Sequence, residues 1–288
     1  SAISKDAGSN QLMKKGANYQ AVWMYVLHEL EDAIGDCKAG DISKNDCAPG
    51  GGAGLCGNAP HAWDEGWAFY AGSTCGATAA EAVTDDGTLI WELAEKRADD
   101  FGTDDTTGPS SVNVKILAEF IKGRDLIIAG SCAAAVPVID EIIKLMTIPL
   151  IQGTLKYAFK ADPGNSAGDC AADAGKNALT ATDGCVKSWA EGWAFAAAIL
   201  PRIDQCSSTA AATIKTNIDI AAATPMAGGF AAVKAAVEST YGCLGISCTD
   251  IGKYSTTTAC TDPSSDSATA PALALGAAAA AAGAALLL

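Results

Sequence analysis

Histidine is nearly absent from this chain: His28 and His61 are the only two among 288 residues. That scarcity leaves few bases for a nucleophile–imidazole–acid triad. Basic residues are also few, with 19 Lys and Arg against 33 Asp and Glu, and the net charge of -14 argues against nucleic acid as a partner while suiting cations. No P-loop and no CxxC pair occurs. Gly52, Gly54 and Gly57 match GxGxxG, yet no strand precedes them. Gly164 to Gly168 matches GxSxG, but it follows Pro163 in a loop and both histidines precede it, the reverse of hydrolase order. Convincing period-two apolar runs are missing too, which excludes a sheet protein.

Cysteine, by contrast, is abundant. Eleven cysteines without zinc-ribbon spacing read as mostly disulfides in an oxidising compartment. The chain is 49% apolar, enough for one large core or two smaller ones. Its apolar residues recur at three and four: Trp23, Val26, Leu27, Leu30 and Ile34 make one helical stripe. Further helices are predicted at about Leu89–Phe101, Val112–Lys122, Val138–Ile148, Leu150–Phe159 after a break at Pro149, Cys185–Leu200, Ala210–Ala223 and Phe230–Tyr241. Asp41 to Ala59 reads as a cysteine-pinned loop, with a helix opening near Pro60.

Trp63-Asp64-Glu65-Gly66-Trp67-Ala68-Phe69 returns as Trp189-Ala190-Glu191-Gly192-Trp193-Ala194-Phe195, 126 positions later. An apolar heptamer that keeps one carboxylate in both copies suggests a buried glutamate, which needs a partner, a metal or a shifted pKa. Gln20 to His28 aligns more weakly with Gln152 to Lys160. Cys37, Cys56, Cys75 and Cys132 then correspond to Cys170, Cys185, Cys206 and one of Cys243 and Cys248. The expected architecture is all-α, with two duplicated, disulfide-stapled helical repeats packed as a pseudo-symmetric bundle, residues 1–135 and 136–254.

Residues 255–288 differ from all of this. A polar stretch leads into Ala268 to Leu288, which carries no charge. Small residues, a spacer and an apolar tail describe a glycolipid-anchor signal, with Ser264, Ser265, Asp266 and Ser267 as candidate attachment residues. The chain opens without Met and without a hydrophobic leader, so either a signal peptide has been removed or this is a fragment.

On the helix near Pro60, His61 and Glu65 lie four apart and Asp64 three from His61, so one face offers imidazole and carboxylate to a cation. The bland alternative is a surface ion pair. Both histidines align with lysines in the second copy, Lys160 and Lys187, as expected if they serve one site that this copy lacks. Near His28, Glu31 and Asp32 offer further carboxylates, whereas Glu29 points elsewhere; Tyr25 is a less favoured phenolate candidate. The metal set is therefore His28, Glu31, Asp32, His61, Asp64 and Glu65. Glu191 is the second-repeat counterpart, neutralised by Lys187. Arg97 and Arg202 read as surface ion pairs.

The run HAWDEGWAFY from His61 to Tyr70, its echo at Trp189 to Phe195, the distributed cysteines and the secretory context resemble the algal iron-assimilation proteins. That family includes phytotransferrin-related and high-CO2-inducible periplasmic members. The resemblance implies extracellular capture of ferric iron, carbonate as a candidate synergistic anion, and a surface iron transporter or reductase as partner. The reading is an iron-binding protein of the periplasm or cell surface, lipid-anchored in the outer leaflet, and not an enzyme. Its rivals are a ferroxidase, for which paired Glu-x-x-His motifs are lacking, and a metal-free surface protein.

Overall fold

The computed structural model describes residues 6–42, 58–72, 89–106, 108–255 and 260, and among them the fold is all-α. The chain begins with α1 (Asp6–Gly16), runs through a π-helical stretch (Ala17–Val22), and continues without a break into α2 (Trp23–Ala39). Gly40, at φ 86°, stops α2 in the left-handed conformation that a side chain resists. Then come α3 (Asn58–Ala71), α4 (Leu89–Phe101), α5 (Ser111–Ile128), α6 (Cys132–Ala161) and α7 (Asp183–Cys206). Shorter helices follow: α8 (Ser208–Ile218), α9 (Gly229–Glu238), α10 (Tyr241–Leu244) and α11 (Cys248–Ile251).

The helix α6 is the axis of the core. It packs on α7, α5, α2, α4 and α9, and Leu145 to Leu155 is buried without interruption. The break expected at Pro149 does not occur. Proline in a helix interior costs about 3 kcal/mol, but this one sits among Met146, Ile148, Leu150 and Ile151, each at most 1% exposed. Burial of that run outweighs the lost hydrogen bond. The helix predicted to reach Ala223 ends at Ile218, because Asp219 turns extended and its Oδ1 accepts from Ala221 N at 2.8 Å.

The expected boundary at 135/136 falls inside α6, so the two halves share a helix rather than a linker. Likewise α1 packs against α7, covering the second heptamer with the first segment of the chain. The two most extensive helix pairings are α2 with α3 and α6 with α7, the pairs that carry the two heptamers. Glycine makes both approaches close. A Cβ on Gly66 would lie 3.3 Å from Leu30, and one on Gly192 would lie 3.3 Å from Tyr157 Cβ.

Four disulfides join described residues: Cys37–Cys132, Cys170–Cys185, Cys206–Cys243 and Cys248–Cys260. The two halves are not stapled alike. Cys37 ties the end of α2 to the start of α6, whereas its counterpart Cys170 clips a loop onto the first turn of α7. Cys47, Cys56 and Cys75 lie outside the described residues, as do Ser264, Ser265, Asp266, Ser267 and the apolar tail. Among the described residues no helix is long and apolar enough to cross a membrane.

Candidate metal centre

The helices α2 and α3 pack antiparallel. Tyr25 meets Phe69 with ring centroids 4.5 Å apart, and one turn along each helix the Glu29 side chain hydrogen-bonds to that of Glu65. Glu29 is 6% exposed. Burial raises its pKa, and the charge and hydrogen bond of the neighbouring Glu65 raise it further. On the outer side of Glu65, His61 Nε2 lies 3.1 Å from Oε1. The seam therefore holds two carboxyl groups and an imidazole in a row.

This corrects two sequence-level expectations. Glu29 does not point elsewhere: it is the residue that meets Glu65 across the seam. It continues the face formed by Val26, Leu30 and Ala33, all fully buried, and that spacing was the available signal. Nor is Glu65 the buried member, since its side chain is 46% exposed.

The remaining predicted residues surround this row unevenly. His28 Nε2 pairs with Asp32 Oδ2 at 3.5 Å on the exposed flank of α2, so each histidine is joined to the carboxylate one turn along its own helix. The Tyr25 ring stands edge-on to His28 at 5.5 Å. Asp64 sits on the rim, its pKa raised by partial desolvation more than Arg124 and His61 lower it. Glu31 projects from the flank of α2 opposite Glu29. Among the described residues no three His, Cys, Asp or Glu side chains already converge in metal-binding geometry.

The second glutamate has other neighbours. Glu191 is 4% exposed and hydrogen-bonds to the Tyr157 phenol, which also hydrogen-bonds to Arg97. Lys187 is exposed and lies near Asp169, so the ammonium expected to neutralise Glu191 is engaged elsewhere. Arg97 is not a surface residue: it is 6% exposed, and its Nη2 lies 2.7 Å from Asp100 Oδ2. Arg202 is half-buried beside Asp140. Burial lowers its pKa to about 10, against the opposing pull of Asp140.

Aromatic packing holds the first heptamer in place. Trp63 is 1% exposed and donates from Nε1 to Phe120 O at 2.8 Å, and Trp67, Tyr70, Trp91 and Phe120 complete a ring cluster with centroids 5.3–6.3 Å apart. Trp189 makes the corresponding bond in α7, from Nε1 to Ala161 O at 3.2 Å.

Comparison with known proteins leads in the same direction as the heptamer. No curated protein and no solved structure matches the chain. One family model does, across residues 6–274, and it covers both glutamates, both histidines and every described helix. The chain belongs to the family of low iron-inducible periplasmic proteins.

Proposed function

We propose that this protein captures ferric iron outside the cell, with Glu29, Glu65 and His61 as ligands at the α2–α3 seam and His28 and Asp32 flanking them. The observation that carries the proposal is the meeting of buried Glu29 with Glu65 across the α2–α3 seam, with His61 Nε2 3.1 Å from Glu65 Oε1. A hard trivalent cation prefers carboxylate oxygen, and it competes with protons for such a pair. The His61 side chain, 65% exposed, is free to swing from Glu65 onto a bound ion. Membership of a family of low iron-inducible periplasmic proteins supports this reading. Carbonate as co-ligand, delivery to a surface transporter or reductase, and a lipid anchor attached within residues 264–267 belong to the same proposal.

Equilibrium iron binding tests it. A Glu29→Gln/Glu65→Gln double variant should bind iron at this site about 100-fold or more weakly, since loss of supporting residues alone commonly costs 10–100-fold. Proton and metal compete for the pair, so affinity should rise as pH climbs through the raised Glu29 pKa and fall on acidification. Equal iron uptake by the double variant and the parent would end the proposal. Multiple-turnover oxidation of iron(II) would move the assignment to a ferroxidase.

A further inference from the structure

The first heptamer is followed directly by Tyr70, and the residue at the same place after the second heptamer is Ala196. That difference falls on a buried polar network. Tyr70 is fully buried, and its hydroxyl donates to Asn113 Oδ1 at 2.5 Å. Asn113, also fully buried, donates from Nδ2 to Trp91 O at 3.1 Å and to Glu95 Oε1. Glu95 in turn accepts from Ser110 N at 3.0 Å through Oε2. Both polar atoms of the Asn113 side chain are thus engaged, and the last turn of α3 is tied to the first turn of α5 and to α4.

Helix geometry turns this network into a constraint on the iron site. Tyr70 and Trp63 are seven residues apart, close to two turns, so they point to the same side of α3. Their acceptors, Asn113 and the carbonyl of Phe120, are likewise seven apart on α5. At about 100° per residue, Glu65 and His61 stand about 160–200° from Trp63, on the opposite side of the helix. One anchor fixes a point on α3; two fix its rotation and its slide along α5. With side chains reaching about 5–6 Å from the axis, a turn of about 20° would carry the Glu65 carboxylate about 2 Å from its place beside Glu29. A binding constellation tolerates about 0.5 Å. The second copy keeps the tryptophan anchor, Trp189 to Ala161 O at 3.2 Å, but Ala196 has no hydroxyl to make the other.

We propose that Tyr70 and Asn113 are positioning residues of the α2–α3 iron site: their hydrogen bond, together with that of Trp63, fixes the rotation of α3 and so the bearing of Glu65 and His61 on Glu29. This inference rests on the reading of that seam as the iron site. Neither residue touches the metal. Burial pushes the Tyr70 pKa well above the usual tyrosine range, so its O–H persists as a donor. Without that donor, α3 keeps its close approach to α2 at Gly66 and Leu30 but loses its second fixed point on α5, and the ligands no longer meet an ion in one geometry. The copy that carries His61 is the copy that carries both anchors.

Tyr70→Phe keeps the ring in the aromatic cluster and removes only the hydroxyl. In the full chain loaded from ferric nitrilotriacetate, it should lower iron affinity about 10-fold, within the range for supporting residues around a metal. It should also broaden the ferric electron paramagnetic resonance signal, because the ligand geometry becomes heterogeneous. Ile203→Val, at a fully buried position in α7, controls for stability alone: it should lower the unfolding midpoint and leave affinity and line shape as in the parent. In the Glu29→Gln/Glu65→Gln background, Tyr70→Phe should change iron binding no further. Parental affinity and line shape in Tyr70→Phe overturn the proposal, as does an equal change in Ile203→Val. Should Tyr70→Phe fail to fold, Gly123→Ala, which displaces the Trp63 indole, should give the same two changes, and parental behaviour there refutes the proposal. Iron binding that survives Glu29→Gln/Glu65→Gln removes the site itself, whereas iron loss in that variant beside a silent Tyr70→Phe removes only the positioning role.

Discussion

Replacing Trp63 with alanine should destabilise the protein by about 3–5 kcal/mol, the range for truncating a fully buried tryptophan. The side chain is 1% exposed, and its indole N–H satisfies the Phe120 carbonyl inside helix α5. Its ring also lies where a side chain on Gly123 would otherwise project. Truncation would remove the ring contacts, open a cavity against α5, and delete the indole's hydrogen bond to Phe120 O. The complementary change, Gly123→Ala, would drive a methyl into the indole and should cost about 1–3 kcal/mol through overpacking. Denaturant unfolding of both variants measures this. A Trp63→Ala loss below about 1 kcal/mol would mean that the ring cluster does not hold α3 against α5.

The second large effect is expected at the Cys37–Cys132 disulfide. Its cysteines are 95 residues apart, the widest separation among the described bridges, and loop closure on that scale is worth about 4–5 kcal/mol in the chain-entropy account. A Cys37→Ser/Cys132→Ser variant should lose about 4 kcal/mol of unfolding free energy. The Cys248–Cys260 bridge, spanning 12 residues, should matter less when removed. Position as well as length makes the first bridge important: it fastens the C-terminal end of α2, the helix of Glu29, to the central α6. Unfolding of the two double variants under non-reducing conditions tests the order. An equal or larger loss at Cys248–Cys260 would refute it.

Much of the fold was legible because helical periodicity is a local property. The stripe from Trp23 to Ile34 and the run from Leu89 to Phe101 appear as read, the latter at the same bounds. Pro149 misled for a physical reason. Local chemistry says stop, but the segment around it is buried on all sides, and tertiary burial overrides propensity. Cysteine spacing suggested equal frameworks, yet pairing depends on which ends meet in space, and Cys37 and Cys170 meet different partners.

The site was legible in half. His61 and Glu65 share a helix face by spacing alone, and they do pair. Glu29 was within reach of the same geometry, since it continues the buried Val26–Leu30–Ala33 face, but spacing from His28 alone makes it point elsewhere. Arg97, Tyr157 and Glu191 come from three helices, separated by 60 and 34 residues of chain, and no local pattern announces that they converge. The duplicated glutamate was the one available hint. It identified Glu191 as a position to examine, while Lys187, one turn away in sequence, drew attention to the wrong partner.

The account stands most directly on where iron sits. Crystals of the full chain soaked in ferric nitrilotriacetate and measured at the iron absorption edge should give an anomalous peak at the α2–α3 seam, within coordination distance of Glu29, Glu65 and His61. An iron-loaded crystal with no peak at that seam would contradict it.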